Sequence, residues 1–343
     1  MGELFLVTGA AGHLGGVLVK KLLERGARVR ALVLPGEKHV PEGCEKVFYA
    51  NICDEESIRP FFDIPEGDEA IVVHTAGIVS IASRIPPLLR LVNVTGTKNI
   101  VSQCEKHRVK KLVYVSSVHA IPEKPKGHTI TETDLFNAVL VKGAYAKTKA
   151  EATRIVLDAA GRGLDASVVH PSGICGPYDH GRGHLTTLVI DYCKRRLTSG
   201  LEGGYDFVDV RDVAEGIVAC CEKGKRGECY ILSGNYYSVP ELLEMLHETT
   251  GQRRVKSFLP LWFINLVAPL AEAYYRIMRQ PPLFTKYSIY TLNSNANFSR
   301  EKAHRELGYQ PRYSMKETLA DTVKWLRGQG RLGDEGDVIC QGS

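Results

Sequence analysis

Short apolar runs alternate with amphipathic segments along the first half of the chain. The apolar runs lie at residues 4–7, 29–34, 70–75, 111–116 and 166–170, and each has the length of a buried strand. The segment 17–23, between the first two runs, repeats its apolar residues at helical spacing. Strands that alternate with helices form a parallel sheet with helices on both faces. The pattern therefore predicts an α/β fold with a doubly wound parallel sheet.

The alternation becomes less regular after Pro171. Helices are predicted at 214–221 and 238–250, and glycine-containing loops precede them. Ligands of doubly wound folds bind at the carboxyl ends of the strands, so the less regular part is expected to close over that edge. The predicted division is a nucleotide-binding domain over 1–170 with a return segment at 206–235, a smaller C-terminal substrate-binding region over 171–330, and a mobile tail at 331–343.

A glycine turn follows the first apolar run. Residues 8–15 read TGAAGHLG and stand between a predicted strand and a predicted helix. In this setting Gly9 permits a tight turn, Gly12 lets the backbone approach a pyrophosphate, and Gly15 lets the helix pack closely on the strand. The spacing differs by one residue from the commoner G-x-G-x-x-G, and a turn without a ligand is the alternative. The position predicts a Rossmann-type dinucleotide site with contacts from Gly9, Ala11, Gly12, His13 and Leu14.

The residues after the second predicted strand bear on the choice between NAD and NADP. An acidic residue about 20 positions past the glycines would bind the ribose hydroxyl of NAD, whereas an arginine would accommodate the phosphate of NADP. Leu34 stands at that place, and Arg30, Lys38 and His39 are close to it in sequence. This arrangement favours NADP over NAD, with Arg30 as a contact. The alternative is that Arg30 and Lys38 are solvated surface charges.

Three further residues are suited to proton transfer. Tyr145 and Lys149 are four residues apart in a segment rich in Ala, Lys and Glu, so both are expected on one face of a helix. A tyrosine has an ordinary pKa of about 10, and a neighbouring ammonium group favours its phenolate. Ser117 follows a predicted strand and can orient a substrate oxygen at the same edge. Without the glycine turn, the Tyr–Lys pair would be read as part of a surface helix.

These motifs resemble the extended short-chain dehydrogenase/reductase family, within the NAD-dependent epimerase/dehydratase superfamily and near its dihydroflavonol reductases and 3β-hydroxysteroid dehydrogenases. Segments 72–77, 93–99, 170–177 and 207–214 carry the likeness further. The resemblance implies that Ser117, Tyr145 and Lys149 are catalytic and that Asn93 helps to hold water or the Lys149 ammonium group. It also implies cofactor contacts from Asn51, Ile52, Thr75, Ala76, Gly77, Lys149, Pro171, Gly173 and Ile174.

The resulting hypothesis is an NAD(P)-dependent oxidoreductase that interconverts a ketone or aldehyde and an alcohol, on a lipophilic, phenolic or steroid-like substrate. A dehydratase is disfavoured because residues 116–120 read SSVHA, where dehydratases of the family usually carry Thr-Asp-Glu. A nucleotide-sugar 4-epimerase is the alternative, with Arg182 and residues 194–196 as the charges for a second diphosphate. A non-catalytic nucleotide sensor or scaffold is a further alternative.

Composition and charge narrow the class of protein. The chain has 343 residues and a formal net charge of +5, without a basic run interleaved with aromatic residues, so no nucleic-acid partner is expected. The nine cysteines form no C-x-x-C pair, which argues against a metal site and favours a reducing, cytoplasmic location. Relatives commonly pair, so a homodimer is a further expectation.

One strongly apolar stretch lies in the C-terminal region, at residues 258–271. It is shorter than the roughly 20 residues that cross a bilayer, so no integral membrane span is expected. The readings left open are a core or lid helix, an apolar wall that contacts a lipophilic substrate, and a peripheral membrane contact.

Overall fold

The apolar runs of the first half of the chain form one sheet. The computed structural model describes residues 2–80, 85–181, 183–260 and 286–332. Strands are numbered in chain order, and those of the main sheet are β1 (Glu3–Thr8), β2 (Arg28–Val33), β3 (Lys46–Tyr49), β4 (Glu69–His74), β5 (Lys111–Val115), β6 (Ala166–Pro171) and β10 (Cys229–Leu232). Their order is β10-β6-β5-β4-β1-β2-β3, and every pairing is parallel. The predicted Rossmann-type fold is confirmed.

Helices cover both faces of this sheet. The α-helices are α1 (His13–Glu24), α2 (Glu55–Ile58), α3 (Pro87–Arg90), α4 (Thr97–Lys106), α5 (Ala144–Gly161), α6 (His184–Cys193), α7 (Val210–Lys223), α8 (Val239–Thr250), α9 (Lys286–Asn293), α10 (Glu301–Leu307) and α11 (Met315–Gly328). Helices α1 and α7 share one apolar cluster with the sheet, and α4 and α5 share a second cluster on the other face. Short 3₁₀ turns lie at Arg59–Phe62 and Val118–Ala120, and a π-helical turn at Leu91–Gly96 leads into α4.

The C-terminal region has an apolar cluster of its own, built mainly from α6, α8 and α11. Its short strands are β7 (Gly173–Cys175), β8 (Gly200–Leu201), β9 (Gly204–Asp209), β11 (Asn235–Ser238) and β12 (Phe258–Leu259). Strand β9 pairs with β7 and β11, and β8 pairs with β12. Between these elements the chain returns to the main sheet, where β10 forms an edge strand and α7 packs on α1.

The helices predicted at 214–221 and 238–250 correspond to α7 and α8. Strand β3 was not predicted, because its alternation is short and it lies at the sheet edge with only partly buried residues. Residues 261–271 of the apolar stretch, Arg182, and residues 333–343 of the predicted tail lie outside the described part of the chain. Among the helices of the described part, none is both long and apolar enough to cross a membrane.

A buried ion pair ties the C-terminal region to the return segment. The Asp209 carboxylate is fully buried and pairs with Arg211 at 2.8 Å. It also accepts a 2.7 Å hydrogen bond from the hydroxyl of Thr318 on α11, and Arg211 pairs with Asp321 on the same helix at 2.6 Å. Removing one member of a buried pair leaves an uncompensated charge, so this junction should be sensitive to substitution.

We expect Asp209→Asn to lower the free energy of unfolding by about 2–4 kcal/mol, because the largely buried Arg211 guanidinium loses the carboxylate that it contacts through two of its nitrogens. Urea unfolding followed by circular dichroism measures the change. The control is Asp158→Asn, which removes the partner of Arg154 in an ion pair that is exposed on α5. Exposed pairs contribute little, so this control should unfold at the wild-type midpoint. Equal midpoints for the two variants would contradict the expectation.

Candidate active site

The glycine turn lies at the carboxyl end of β1, between its two neighbours in the sheet. Gly9 has φ +69°, a conformation that other residues rarely adopt, and its N–H donates to the Leu32 carbonyl at 3.0 Å. A Cβ atom on Gly15 would lie 2.1 Å from the carbonyl oxygen of Gly9. Both positions therefore require glycine. The turn holds the predicted contacts together between β1 and the first turn of α1: Gly9, Ala11, Gly12, His13 and Leu14.

The amino terminus of α1 fits the pyrophosphate of a dinucleotide. Its N-cap residue is Gly12, which has no side chain to cover the first N–H groups, and its first turn contains no acidic residue. Free N–H groups and the helix dipole favour an anion at such a position. The ring of His13 contacts the segment after β7, where its Nε2 lies 3.0 Å from the Pro177 carbonyl oxygen. These observations agree with the role predicted for the turn.

The other predicted contacts follow neighbouring strands at the same edge. Thr75 follows β4 and donates its hydroxyl to the Thr8 carbonyl at 2.6 Å, and the Ala76 N–H donates to the Thr8 hydroxyl at 3.3 Å. The loop after β3 holds Asn51, whose side chain accepts from the Cys53 N–H at 3.0 Å. Ile52 lies after β3 and Gly77 after β4. Pro171 ends β6, and Gly173 and Ile174 lie in β7.

Arg30 does not join this group. Its guanidinium bonds to Glu45 at 3.3 Å and donates to the Asp63 carbonyl at 2.7 Å. The ring of His39 stacks on His180, with 3.6 Å between the ring centroids. The expectation that Arg30 meets a nucleotide phosphate, which supported the preference for NADP, therefore loses its geometric basis. The physical reason is that a partly buried guanidinium binds the nearest carboxylate and carbonyl oxygen.

Ser117, Tyr145 and Lys149 are brought together in the interior. Ser117 follows β5, and its hydroxyl accepts from the His119 N–H at 3.2 Å. The ring of His119 lies edge-on to that of Tyr145, with 6.1 Å between the centroids. Tyr145 lies in the first turn of α5, directly after Gly143 with φ +96°, and Lys149 lies one turn further along. All three side chains are at least nine-tenths buried.

Burial changes the acidity of both members of the Tyr–Lys pair. It raises the pKa of Tyr145 to about 12, although the hydrogen bond from Ser117 acts in the opposite direction. It lowers the pKa of Lys149 to about 7. The pKa of Tyr145 was expected to fall beside an ammonium group. It rises because desolvation dominates and because the Lys149 ammonium is directed to the Val115 carbonyl at 2.8 Å and the Tyr114 hydroxyl at 3.3 Å.

The Asn93 side chain is bonded to the loop after β4 and to α5, and its expected contact with water or with the Lys149 ammonium group stays a prediction. Its amide donates to the Ile78 carbonyl at 2.9 Å and to the Thr148 hydroxyl at 3.1 Å, and its oxygen accepts from the Ile78 N–H at 2.8 Å. The side chain therefore fixes the loop after β4 against α5. His170 supports Ser117 from β6. Its ring stacks on Phe136, and its Nδ1 lies 2.9 Å from the Ser117 carbonyl oxygen.

A cavity of about 360 Å³ adjoins these residues. Part of its wall comes from residues 118–119, directly after Ser117, part from residues 140–142, and part from the distant segment 290–298. The rings of His119 and Tyr205 also line it; they are stacked 5.5 Å apart, with the imidazole Nε2 3.2 Å from the phenolic oxygen. No motif in the sequence predicted this cavity, because its walls are far apart in the chain. Apolar walls come from Val118, Ile121, Ile130, Leu140, Val141 and Phe298.

The fold and these side chains define a nucleotide-binding α/β oxidoreductase. The chain belongs to the NAD dependent epimerase/dehydratase family, whose model matches residues 5–233. The family predicted from the motifs is thereby confirmed, together with the prediction of an NAD(P)-dependent oxidoreductase.

Relatives match the chain over nearly its whole length. Sterol demethylase protein B of Methylococcus capsulatus is 33% identical over 331 residues, which cover 95% of this chain and 99% of that protein. A putative dihydroflavonol 4-reductase of Synechocystis sp. is 30% identical, with 96% of each chain covered. The 3 beta-hydroxysteroid dehydrogenase type 7 of Mus musculus is 27% identical, with 94% and 95% covered.

Solved structures agree with the fold. The crystal structure of gox2253 superimposes with a TM-score of 0.83 at 29% identity, covering 96% of this chain and 99% of that one. A UDP-glucose 4-epimerase of Thermotoga maritima, solved with UDP-glucose, gives a TM-score of 0.76 at 23% identity over 95% and 99%. The likeness to the epimerase concerns the fold alone.

We expect Gly15→Ala to weaken nucleotide binding about tenfold or more, because the new methyl group would push α1 away from the glycine turn. Quenching of protein fluorescence by NADH and NADPH measures the dissociation constant. The control is Gly161→Ala at the end of α5, where an added Cβ atom would have no neighbour within 4 Å. Wild-type affinity in the Gly15 variant would show that the turn does not bind the nucleotide.

Proposed function

We propose that this protein is an NAD(P)-dependent dehydrogenase or reductase that interconverts a ketone or aldehyde and an alcohol, with Ser117, Tyr145 and Lys149 as catalytic residues. The burial of these three side chains around one strand end carries the proposal: Lys149 donates to the Val115 carbonyl, and His119, whose N–H binds the Ser117 hydroxyl, contacts the Tyr145 ring. Ser117 and Tyr145 are two groups that can hold one substrate oxygen, at the edge of the sheet where the glycine turn lies. A bound nicotinamide cofactor supplies or accepts the hydride at this site.

In the reductive direction, Tyr145 donates its phenolic proton to the carbonyl oxygen as negative charge develops there. Its raised pKa keeps the phenol protonated at neutral pH, which suits this step. Ser117 donates a hydrogen bond to the same oxygen. The Lys149 ammonium stabilises the charge left on Tyr145 and is the residue expected to meet the nicotinamide ribose. In the oxidative direction Tyr145 acts as a phenolate and accepts the proton of the alcohol.

We propose a lipophilic substrate of the sterol or phenolic type. Apolar side chains form part of the cavity near Tyr145, and Glu123 and lysines at 124, 126 and 142 contribute polar groups to its lining. This composition suits a rigid apolar ring system that carries a polar group. The names of the relatives agree, since one is a sterol demethylase protein and another a 3 beta-hydroxysteroid dehydrogenase. The predicted homodimer and cytoplasmic location stay predictions.

The alternative of a nucleotide-sugar 4-epimerase needs charges for a second diphosphate. Two of the residues suggested from the sequence have partners within the chain: Arg195 donates to Gln252 at 3.0 Å, and Arg196 pairs with Asp191 at 3.6 Å. An assay that follows the absorbance of reduced cofactor separates the two activities. A reductase consumes NADH or NADPH with a ketone substrate, whereas an epimerase regenerates its cofactor in each turnover and shows no net loss.

We expect Tyr145→Phe to lower kcat by about 10²–10⁴-fold, because the variant retains the ring but lacks the proton that the reaction transfers. Turnover is followed with a panel of ketones and sterols, and nucleotide affinity is expected to change little. Tyr192→Phe is the control, since it removes a buried hydroxyl that bonds to the Gln252 carbonyl in the C-terminal region. Near wild-type turnover by the Tyr145 variant would refute the catalytic assignment.

The substrate class is tested by narrowing the cavity. We expect Ile121→Phe to raise KM for a sterol ketone about tenfold and to leave KM for a small aldehyde unchanged, because only the large substrate needs the space. Ile155→Phe is the matched control on the outer side of α5, remote from this cavity. An equal effect on both substrates would contradict the assignment of the cavity to a large lipophilic substrate.

A further inference from the structure

Two oxygens and one ring surround the buried ammonium group of Lys149. The ammonium donates to the Val115 carbonyl at 2.8 Å and to the Tyr114 hydroxyl at 3.3 Å. It also lies 4.9 Å from the centroid of the Tyr114 ring, within the range of a cation–π contact. A single tyrosine therefore contacts the ammonium in two ways, through its hydroxyl and through its aromatic face.

Tyr114 is itself held rigidly. It is fully buried on β5, where it is the register partner of His74 on β4, and the two rings are stacked with centroids 5.5 Å apart. Packing against a neighbouring strand thus fixes the position of the Tyr114 ring.

Hydrogen bonds in turn hold the His74 ring. Its Nε2 lies 3.0 Å from the hydroxyl of Thr97, the first residue of α4, and its Nδ1 lies 2.7 Å from the Thr8 hydroxyl. Thr97 donates its own hydroxyl to the Asn93 carbonyl at 2.8 Å. With Nε2 protonated, the ring donates to Thr97 and accepts from Thr8, on the strand that carries the glycine turn.

We propose that Tyr114 is a positioning residue for Lys149, and that its hydroxyl and ring hold the ammonium group in place and in its charged form. The proposal rests on the proposed function, in which that ammonium supports Tyr145. No motif in the sequence marked Tyr114, which lies inside an apolar strand. Side-chain contacts with Lys149 on α5 and with His74 on β4 support this role.

The other titratable groups near Lys149 supply no negative charge at neutral pH. They are His74, His170, Tyr114 and Tyr145. Burial lowers the pKa of His74 to about 3 and of His170 to about 4, and it raises the pKa of both tyrosines. The ammonium is therefore stabilised by oriented oxygen dipoles and a ring face, and loss of one oxygen should shift its protonation measurably.

The test is Tyr114→Phe, which keeps the ring and removes only the hydroxyl. The pKa of Lys149 is measured without cofactor or substrate, from the ¹³C shift of its ε-carbon in protein labelled with ¹³C-lysine, and the resonance is assigned with Lys149→Arg. We expect the pKa to fall by about one unit, because the charged form loses an acceptor. Thr97→Val is expected to produce a smaller shift in the same direction, since Tyr114 is then less firmly held.

Tyr230→Phe is the matched control. Tyr230 is also fully buried in a strand of the same sheet, and its hydroxyl accepts from the Lys225 N–H and donates to the Glu306 carboxylate. This variant should lose stability but leave the pKa of Lys149 unchanged. An unchanged Lys149 pKa in Tyr114→Phe, or an equal shift in Tyr230→Phe, would overturn the proposal.

This measurement does not depend on turnover, so it separates the positioning role from the proposed reaction. A shifted Lys149 pKa supports the role of Tyr114 even if Tyr145→Phe refutes the catalytic assignment. Where the enzyme turns over, the alkaline limb of kcat/KM for reduction should move to lower pH in Tyr114→Phe, because the ammonium is lost at a lower pH. A limb that moves equally in Tyr230→Phe would count against the proposal.

Discussion

The parallel pairing of β1 with both β2 and β4 determines where the rest of the site lies. Parallel strands end at the same edge, so every loop that follows a strand of this sheet opens on one side of the molecule. The glycine turn, Thr75, Ser117 and the end of β6 meet there although more than 150 residues separate the first from the last. A helix then packs against β1 closely enough that only glycine fits at position 15.

The site depends on burying polar groups and satisfying them. Lys149, Tyr145 and His74 are all buried, and desolvation favours the neutral form of each. It lowers the pKa of Lys149 and His74 and raises the pKa of Tyr145. A buried polar group without a partner is costly, and here the hydroxyls of Thr8, Thr97 and Tyr114 supply partners. The His74 ring binds Thr8 on the strand of the glycine turn and stacks on Tyr114, whose ring contacts the ammonium group. A dry, rigid network of this kind strengthens electrostatic interactions with a developing charge.

The C-terminal region completes the site by supplying one wall of the cavity and by returning to the main sheet. Tyr205 on β9 contacts His119, two residues after Ser117, so the two regions share the space beside Tyr145. The carboxylate of Asp209, on the same strand, anchors α11. The family model matches residues 5–233, which contain the main sheet and the return segment.

The sequence by itself determined the strand and helix order, the glycine turn and the spacing of Tyr145 and Lys149, because periodicity, turn stereochemistry and helix geometry are local properties. It did not determine the partners of Arg30, the direction of the Tyr145 pKa or the place of Tyr114. These follow from desolvation and from contacts between distant segments, which exist only after the chain has folded. The cavity is decided in the same way, since residues 118–142 and 290–298 form its walls together.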